Sequence, residues 1–149
     1  MLTGAEIVAR QLVTPAVSTK IDDGVVPSYG PDPAGYTLTA DVDWVHWTLK
    51  PLESIKFLTK ERVTIPRDYI GLLFCKSTYA RRGIILVTNT PVDGGYEGPL
   101  TIRLFNSGDE PVLLWGQGGF MQMVVSQATG LESPAYTGRW MGGERIGGS

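Results

Sequence analysis

Two polar clusters, joined by a short apolar segment, hold residue types that could split a phosphoanhydride. Residues 76–82 combine lysine, arginine and hydroxyl side chains, which offer positive charge and hydrogen-bond donors to an anion. Residues 92–98 are a glycine-rich turn sequence in which the carboxylate of Asp93 closely precedes the ring of Tyr96. Cations that hold phosphates and a carboxylate that orients a water are the minimum parts for phosphoanhydride hydrolysis.

Each of these residues also has a purely structural interpretation. Asp93 stands before two glycines, where aspartate is typical of a turn. Ser77 and Thr78 could cap a local turn instead of contacting phosphate. Arg81 and Arg82 are adjacent, so on a strand only one of them can face a given side. Taken singly, these residues leave both the structural and the functional interpretation open.

Composition limits the classes to which the protein can belong. At 149 residues one domain is expected, which can bury about two-thirds of its unfolded surface. The net charge of −2 and the pI near 5.3 argue against a nucleic-acid-binding surface. Cys75 is the single cysteine, no apolar run approaches the ~18 residues of a membrane span, and residues 1–13 lack a signal-peptide pattern. We expect a soluble, cytoplasmic protein with neither nucleic acid nor membrane as partner.

The predicted fold class is all-β with one short N-terminal helix. Nineteen glycines and ten prolines are typical of short strands joined by turns. A helix is predicted over residues 3–13, because Thr3 and Glu6 have the spacing of a capping box. From residue 36 onward, short strand-like segments recur about every 8–12 residues, which indicates a barrel or a jelly-roll-like sandwich.

Several strand details are predicted as well. Residues 44–49 alternate in a way that suggests a half-buried strand. Residues 54–59 and 62–65 are predicted as a strand pair around Lys60-Glu61. Four further residues are predicted to have structural roles. His46 is expected to lie in a strand, and Cys75 to fill apolar space. Met121 and Met123 are expected in the core.

The tail differs in composition from the rest of the chain. Residues 1–132 are predicted to form a single β domain, and residues 133–149 a flexible, glycine-rich arm. Such a segment is either a disordered end or a mobile arm that orders on a ligand. Tyr136 and Trp140 lie among the glycines of the arm, and exposed aromatic rings need a partner, which a base or a neighbouring subunit would supply.

Five segments in order carry a resemblance to the superfamily of trimeric dUTPases and dCTP deaminases. They are PAGYTL at 33–38, KSTYARRGI at 76–84, VDGGYEG at 92–98, FMQM at 120–123 and GRWMGG at 138–143. The spacings are as the resemblance implies: 16 positions from Ser77 to Asp93 (93 − 77) and 16 from Asn106 to Gln122 (122 − 106). The opening MLTGAEI is similar to the deaminase branch.

The resemblance implies a distorted β-barrel with jelly-roll character, assembled as a homotrimer with active sites between subunits. In such sites Asp93 would orient the attacking water and Tyr96 would pack under the deoxyribose. The backbone of a hairpin around residues 87–102 would read the base, and Mg²⁺ would sit on the substrate phosphates. Phosphate binding falls to residues of the second and fourth motifs and of the arm, which would close over the triphosphate: Lys76, Ser77, Thr78, Arg81, Gln122, Arg139 and Trp140.

Departures from the motifs decide between the activities of the superfamily. The deaminase branch needs a glutamate in the strand after the third motif, and Arg103 stands there. A guanidinium cannot move protons near neutral pH, because its pKa lies above ~12. Zinc-dependent deamination would need more ligands than His46 and Cys75. We therefore predict hydrolysis of dUTP to dUMP and pyrophosphate.

Two alternatives remain open. One is a dCTP deaminase, with or without dUTPase activity. The other is a catalytically silent, nucleotide-binding regulatory trimer, which missing acids at two positions favour: Thr37 replaces an aspartate of the first motif, and Gly118-Gly119 leave no charge in the fourth. Together with Glu144, which replaces a phenylalanine of the fifth motif, these departures also leave open a pyrophosphatase with another base preference. Arg103 is equally consistent with a subunit-interface ion pair and with a place in the site.

Overall fold

Short strands dominate the structure. A computed structural model describes residues 1–130 and 136–143. The helices are α1 (Gly4–Ala9) and α2 (Ser77–Ala80). The strands are β1 (Val13–Thr14), β2 (Gly30–Pro31), β3 (Tyr36–Thr39), β4 (His46–Leu49), β5 (Ser54–Thr64), β6 (Tyr69–Cys75), β7 (Ile84–Leu86), β8 (Glu97–Asn106), β9 (Val112–Trp115) and β10 (Gly119–Gln127).

The strands pair in three antiparallel sheets. Two sheets have four strands each, in the orders β1-β5-β8-β7 and β2-β3-β10-β6, and the third is the pair β4-β9. Together the strands form a curled, half-barrel sheet, which confirms the predicted all-β, barrel-like fold. The helix α2 is a second, four-residue helix that the sequence pattern did not predict.

The strands β8 and β10 supply much of the core. In β8 burial alternates strictly, so one face of the strand packs inward and the other is left for the surface. In β10 six of nine residues are buried, and Met121 and Met123 are fully so, as predicted. Phe120 packs against the rings of Phe57 and Tyr79, with centroids 5.0 and 5.3 Å away. The core therefore lies between the two larger sheets.

The N-terminal helix begins as predicted and ends early. The hydroxyl of Thr3 accepts a hydrogen bond from the backbone N–H of Glu6 at 3.2 Å, which caps α1. The helix ends at Ala9 instead of reaching residue 13, because Gln11 adopts a left-handed conformation with φ of 58°. Leu12, within the predicted helix range, instead enters the core from the segment that follows α1.

The strand pair predicted around Lys60-Glu61 is wrong. One strand, β5, runs through both residues, with a register shift against β8 that marks a bulge. At the bulge the hydroxyl of Thr59 donates to the carbonyl of Glu61 at 2.6 Å and accepts from the N–H of Leu100 at 2.9 Å. Adjacent charged residues suggested a turn, but the alternation of the strand continues and points Lys60 outward and Glu61 inward.

The buried carboxyl group of Glu61 links the two larger sheets. Its oxygens accept from the backbone N–H of Thr39 at 2.9 and 3.1 Å and from the Thr39 hydroxyl at 2.8 Å. Burial raises the pKa of Glu61, and the bonds from Thr39 offset this only in part.

We expect the stability of the protein to fall as pH rises above the ordinary glutamate value. Between the unfolded-state pKa near 4.5 and the raised folded-state pKa of Glu61, the folded protein holds a proton that the unfolded chain has released. Stability in this window therefore decreases with rising pH. The Glu61→Gln variant cannot titrate, so urea unfolding across pH 4–8 should show a shallower decrease than in wild type. Parallel pH profiles would contradict this account.

The half-buried strand predicted over residues 44–49 is only partly correct. The strand β4 begins at His46, and within it only Leu49 is buried. It pairs with β9 alone, so Trp47 remains 45% exposed in the single chain. Trp44 precedes the strand and packs edge-on against Phe57, with centroids 5.9 Å apart.

The boundary predicted between residues 132 and 133 lies outside the described residues, as does the position of Glu144. Within residues 1–130 and 136–143, the helices are too short to cross a membrane.

Candidate active site

A cavity of about 630 Å³ lies over the outward face of β8. The alternation of β8 turns Pro99, Thr101 and Arg103 toward the cavity, and the mostly buried Leu100 also lines it. The other walls come from β6, from the segment before the glycine-rich turn, from that turn and from the tail: Leu73, Thr88, Thr90, Pro91, Val92, Asp93, Tyr96, Tyr136, Trp140 and Gly143.

The turn that carries Asp93 is held rigidly. Val92 exchanges backbone hydrogen bonds with Gly71 of β6 at 2.7 and 2.9 Å, and the N–H of Gly95 donates to the carbonyl of Ile65 at 2.7 Å. A side chain at position 94 would place its Cβ 2.4 Å from the carbonyl oxygen of Arg67, so only glycine fits this close approach. Asp93 itself is exposed, and the fixed turn presents its carboxylate at the cavity.

Tyr96 forms a firm apolar surface beside Asp93. Its side chain is 6% exposed, and its hydroxyl donates to the carbonyl of Pro99 at 2.5 Å. Burial raises the pKa of Tyr96, so the phenol stays protonated at neutral pH. The ring therefore acts by packing, and its edge meets the ring of Tyr136 at a centroid distance of 5.7 Å.

The described part of the tail, residues 136–143, lies against the same turn. The N–H of Tyr136 donates to the carbonyl of Gly94 at 2.8 Å, and that of Gly142 to the carbonyl of Glu97 at 3.0 Å. Glu97 was predicted on the turn and instead begins β8. Trp140 reaches the cavity while remaining 40% exposed, and the guanidinium carbon of Arg139 lies 5.0 Å from the Trp140 ring centroid.

The cluster at residues 76–82 lies outside the Asp93 cavity. Ser77 and Thr78 begin α2, and Arg81 and Arg82 follow it, so the strand geometry considered for the two arginines is wrong. Both arginines are exposed. The ammonium of Lys76 donates to the hydroxyl of Ser28 at 3.1 Å. Burial of the Lys76 ammonium lowers its pKa.

A second cavity, of about 400 Å³, adjoins α2. Thr78, Tyr79 and Arg82 line it together with the loop that includes Asp22 and Ser28. It shares no lining residue with the cavity at Asp93. Within one chain, the structure thus brings together Asp93, Tyr96 and Trp140 of the predicted site residues, and it keeps the phosphate-binding candidates on α2 apart from them.

Gln122 and the first motif form a further polar group. The Gln122 amide donates to the carbonyl of Ala34 at 2.6 Å. Thr37, which stands where the resemblance implies an aspartate, donates its hydroxyl to Asp32 at 2.6 Å, and Asp32 pairs with Lys20 at 3.0 Å. A carboxylate five positions upstream (37 − 32) therefore lies beside Thr37, with its charge paired to Lys20.

Sequence reasoning missed Lys56, Thr88 and Thr90 as lining residues of the Asp93 cavity. Lys56 is the cross-strand partner of Arg103 in the β5–β8 register. No local signal marks such a pairing, because it depends on which strands pair and in which register.

The side chains of the described residues form no cluster of three or more His, Cys, Asp or Glu that could hold a metal ion. Cys75 is half-buried, and burial raises the pKa of its thiol to about 11, in keeping with its predicted role as a filler.

Comparison with known proteins identifies the family. A model of dCTP deaminase-like proteins matches residues 40–128, more than half of the chain, so the protein belongs to the dCTP deaminase-like family. The chain is 39% identical over 101 residues to the dCTP deaminase of Thermococcus gammatolerans, a match that covers 66% of this chain and 62% of that protein. It is 35% identical over 96 residues to the dCTP deaminase of Hyperthermus butylicus, covering 64% and 53%. The chain thus spans less than two-thirds of the length of these relatives.

Solved structures confirm the fold. The dUTPase of EIAV superposes with a TM-score of 0.56 at 20% identity, covering 71% of this chain and 86% of that one. The dUTPase of Staphylococcus bacteriophage 80alpha superposes with a TM-score of 0.57 at 17% identity, covering 86% and 94%. A mutant dUTPase from phage phi11 of S. aureus, also with a TM-score of 0.57 and 17% identity over 86% and 94% of the two chains, is described with a structural Mg(II) ion. The predicted resemblance to the dUTPase and dCTP deaminase superfamily is confirmed.

Proposed function

We propose that the protein is a deoxynucleoside triphosphate pyrophosphatase that hydrolyses the magnesium complex of dUTP to dUMP and pyrophosphate. The observation that carries the proposal is the cavity that joins the exposed carboxylate of Asp93 to the buried ring of Tyr96 and to Trp140. It combines a group that can orient water with two surfaces on which a nucleoside can pack.

In the proposed reaction a water attacks the α-phosphorus of dUTP. The bond from the α-phosphorus to its bridging oxygen breaks, and pyrophosphate leaves with the electron pair. Asp93 accepts a hydrogen bond from the water and aligns it for attack. Mg²⁺, as part of the substrate complex, neutralises charge on the phosphates.

Tyr96 and Trp140 would hold the nucleoside in this scheme. The tyrosine hydroxyl already donates to Pro99, so the ring is fixed and offers a close-fitting face to a 2′-deoxyribose. Trp140 remains partly exposed at the cavity and is available for stacking. Arg139 beside it adds a cation near the phosphates in the proposal, with residues 133–149 acting as the arm that closes over the substrate.

The phosphate-binding candidates on α2 fit a homotrimer with sites between subunits. Lys76, Ser77, Thr78 and Arg81 lie apart from the Asp93 cavity of their own chain, so a neighbouring chain would supply them, together with Gln122. Exposed apolar side chains on the strands and directly after β7 support association, because such groups are usually covered by a partner. They are Trp47, Phe74, Ile85 and Val87, each 45–50% exposed. Nucleoside triphosphate as substrate implies an intracellular location.

A dCTP deaminase is the second candidate, because the family model and the relatives described above are of that kind. The deaminase reaction needs a group that moves protons at the cytosine ring. Arg103 lines the cavity at the position where the resemblance implies a glutamate, and it cannot serve as that group. This residue favours hydrolysis over deamination.

Product analysis tests the proposal. The purified protein is incubated with Mg²⁺ and dUTP, dCTP or dTTP in separate reactions, and the products are separated by ion-exchange chromatography. We expect dUMP and pyrophosphate from dUTP alone. Formation of dUTP or dUMP from dCTP would indicate a deaminase instead, and no product from any of the three nucleotides would point to a silent nucleotide-binding protein or to a substrate outside this set.

A further inference from the structure

Arg103 and Lys56 give the Asp93 cavity a cationic wall. The two residues lie directly opposite each other in the antiparallel β5–β8 pair, so their side chains leave the sheet on the same face. Both line the cavity that also holds Asp93 and Tyr96. The cavity thus presents positive charge along β8 and negative charge at the glycine-rich turn.

The position of Arg103 is well defined. Its backbone N–H donates to the hydroxyl of Thr88 at 3.1 Å, and its carbonyl accepts from the N–H of Val87 at 2.8 Å. Its guanidinium donates to the hydroxyl of Ser54 at 3.3 Å. Among the residues that the structure describes, Arg103 takes part in no ion pair. A guanidinium has five N–H donors, so the hydrogen bond to Ser54 orients the group and leaves other donors for a ligand.

The surroundings of Arg103 suit a nucleobase better than a triphosphate. Thr88 and Thr90 add neutral hydroxyl groups, and Leu73 and Val92 add apolar surface. A base presents both a flat apolar face and polar edges, and this lining matches both. A triphosphate has no apolar face that would pack against Leu73 and Val92.

We infer that Arg103 reads the base of the bound nucleotide, selecting a base with a carbonyl oxygen at the edge that faces it and rejecting one with an amino group there. A guanidinium can only donate hydrogen bonds. Uracil offers the carbonyl oxygen O4 as an acceptor, whereas cytosine offers an amino donor at the same position, as thymine and cytosine do in DNA. If an amino group faced Arg103, the amino N–H and the guanidinium N–H would both be donors, and neither would have an acceptor. This inference rests on the proposed function and assigns its base specificity to one side chain.

Calorimetric titration with the non-hydrolysable analogues dUpNHpp and dCpNHpp, in the presence of Mg²⁺, tests the inference without turnover. Wild type is expected to bind dUpNHpp more tightly by about 10- to 100-fold, the discrimination of one well-placed arginine contact. In the Arg103→Gln variant the ratio should fall toward one, because an amide both donates and accepts. The Arg103→Glu variant should favour dCpNHpp. The exposed Arg10, which lines neither described cavity, provides the control Arg10→Gln, which should keep the wild-type ratio.

Several results would overturn the inference. Equal weakening of both analogues by Arg103→Gln would mean that Arg103 holds phosphate. Tight but equal binding of both analogues to wild type would remove the base-reading role and leave the proposed function standing. Failure of wild type to bind either analogue would overturn both. Thermal unfolding of each variant shows that it is folded, and Arg103→Lys, which keeps the charge but not the planar fork, should show an intermediate ratio.

Discussion

Asparagine in place of Asp93 is expected to lower kcat for dUTP hydrolysis by about 10²- to 10⁴-fold, the usual contribution of a positioned acid–base group. The amide has nearly the same shape, so the turn and its backbone hydrogen bond between Tyr96 and Asp93 should persist. It lacks the negative charge that aligns a water for attack. Binding of dUpNHpp should therefore be largely kept. Steady-state release of pyrophosphate, followed beside calorimetric titration, measures both quantities.

A matched control separates this effect from a general loss of negative charge. Asp109 is an exposed aspartate in the connection between β8 and β9, and it lines neither described cavity. The Asp109→Asn variant should keep wild-type kcat. An unchanged kcat in Asp93→Asn would remove the catalytic role of Asp93, and loss of dUpNHpp binding with unchanged kcat at saturation would reassign Asp93 to substrate binding.

Truncation of Leu104 is expected to cost about 2–5 kcal/mol of stability, the range for deletion of a fully buried leucine side chain. Leu104 is 0% exposed and lies at the centre of the sheet, where β8 pairs with both β5 and β7. Its Cβ and that of Arg103 point to opposite faces of the strand. Packing of Leu104 in the core therefore holds in place the strand whose opposite face lines the cavity. Urea unfolding of Leu104→Ala, monitored by tryptophan fluorescence, measures the loss.

Leu52 provides the matched control, because the same leucine-to-alanine substitution there removes an exposed side chain. It is 77% exposed, so Leu52→Ala should change the free energy of unfolding by less than about 0.5 kcal/mol. Similar losses in both variants would contradict the placement of Leu104 in the core. Both variants are compared at equal protein concentration, because association of subunits adds to apparent stability.

Local patterns in the sequence were enough for many elements. The alternation of residues 120–125 correctly predicted a buried strand with Met121 and Met123 in the core. Thr3 and Glu6 correctly predicted the start of α1. These features depend on neighbours a few positions apart, so a short stretch of chain contains the information they need.

Predictions failed where a distant contact outweighed the local signal. Lys60-Glu61 suggested a turn, but the buried Glu61 carboxyl is satisfied by Thr39, a residue 22 positions away in another sheet. The charged pair by itself gave no sign of that partner. The helix α2 at Ser77–Ala80 was not predicted, and strand geometry was wrongly considered for Arg81 and Arg82 beside it.

The sequence by itself determined the all-β class, the order and spacing of the motifs, and the absence of a deaminase glutamate at position 103. The tertiary structure decided which of these motifs meet. It joined Asp93 and Tyr96 to Arg103, Lys56 and the tail in one cavity, and it separated them from the cluster on α2. The physical reason is that strand pairing and register set which side chains share a face, and these depend on contacts between segments far apart in the chain.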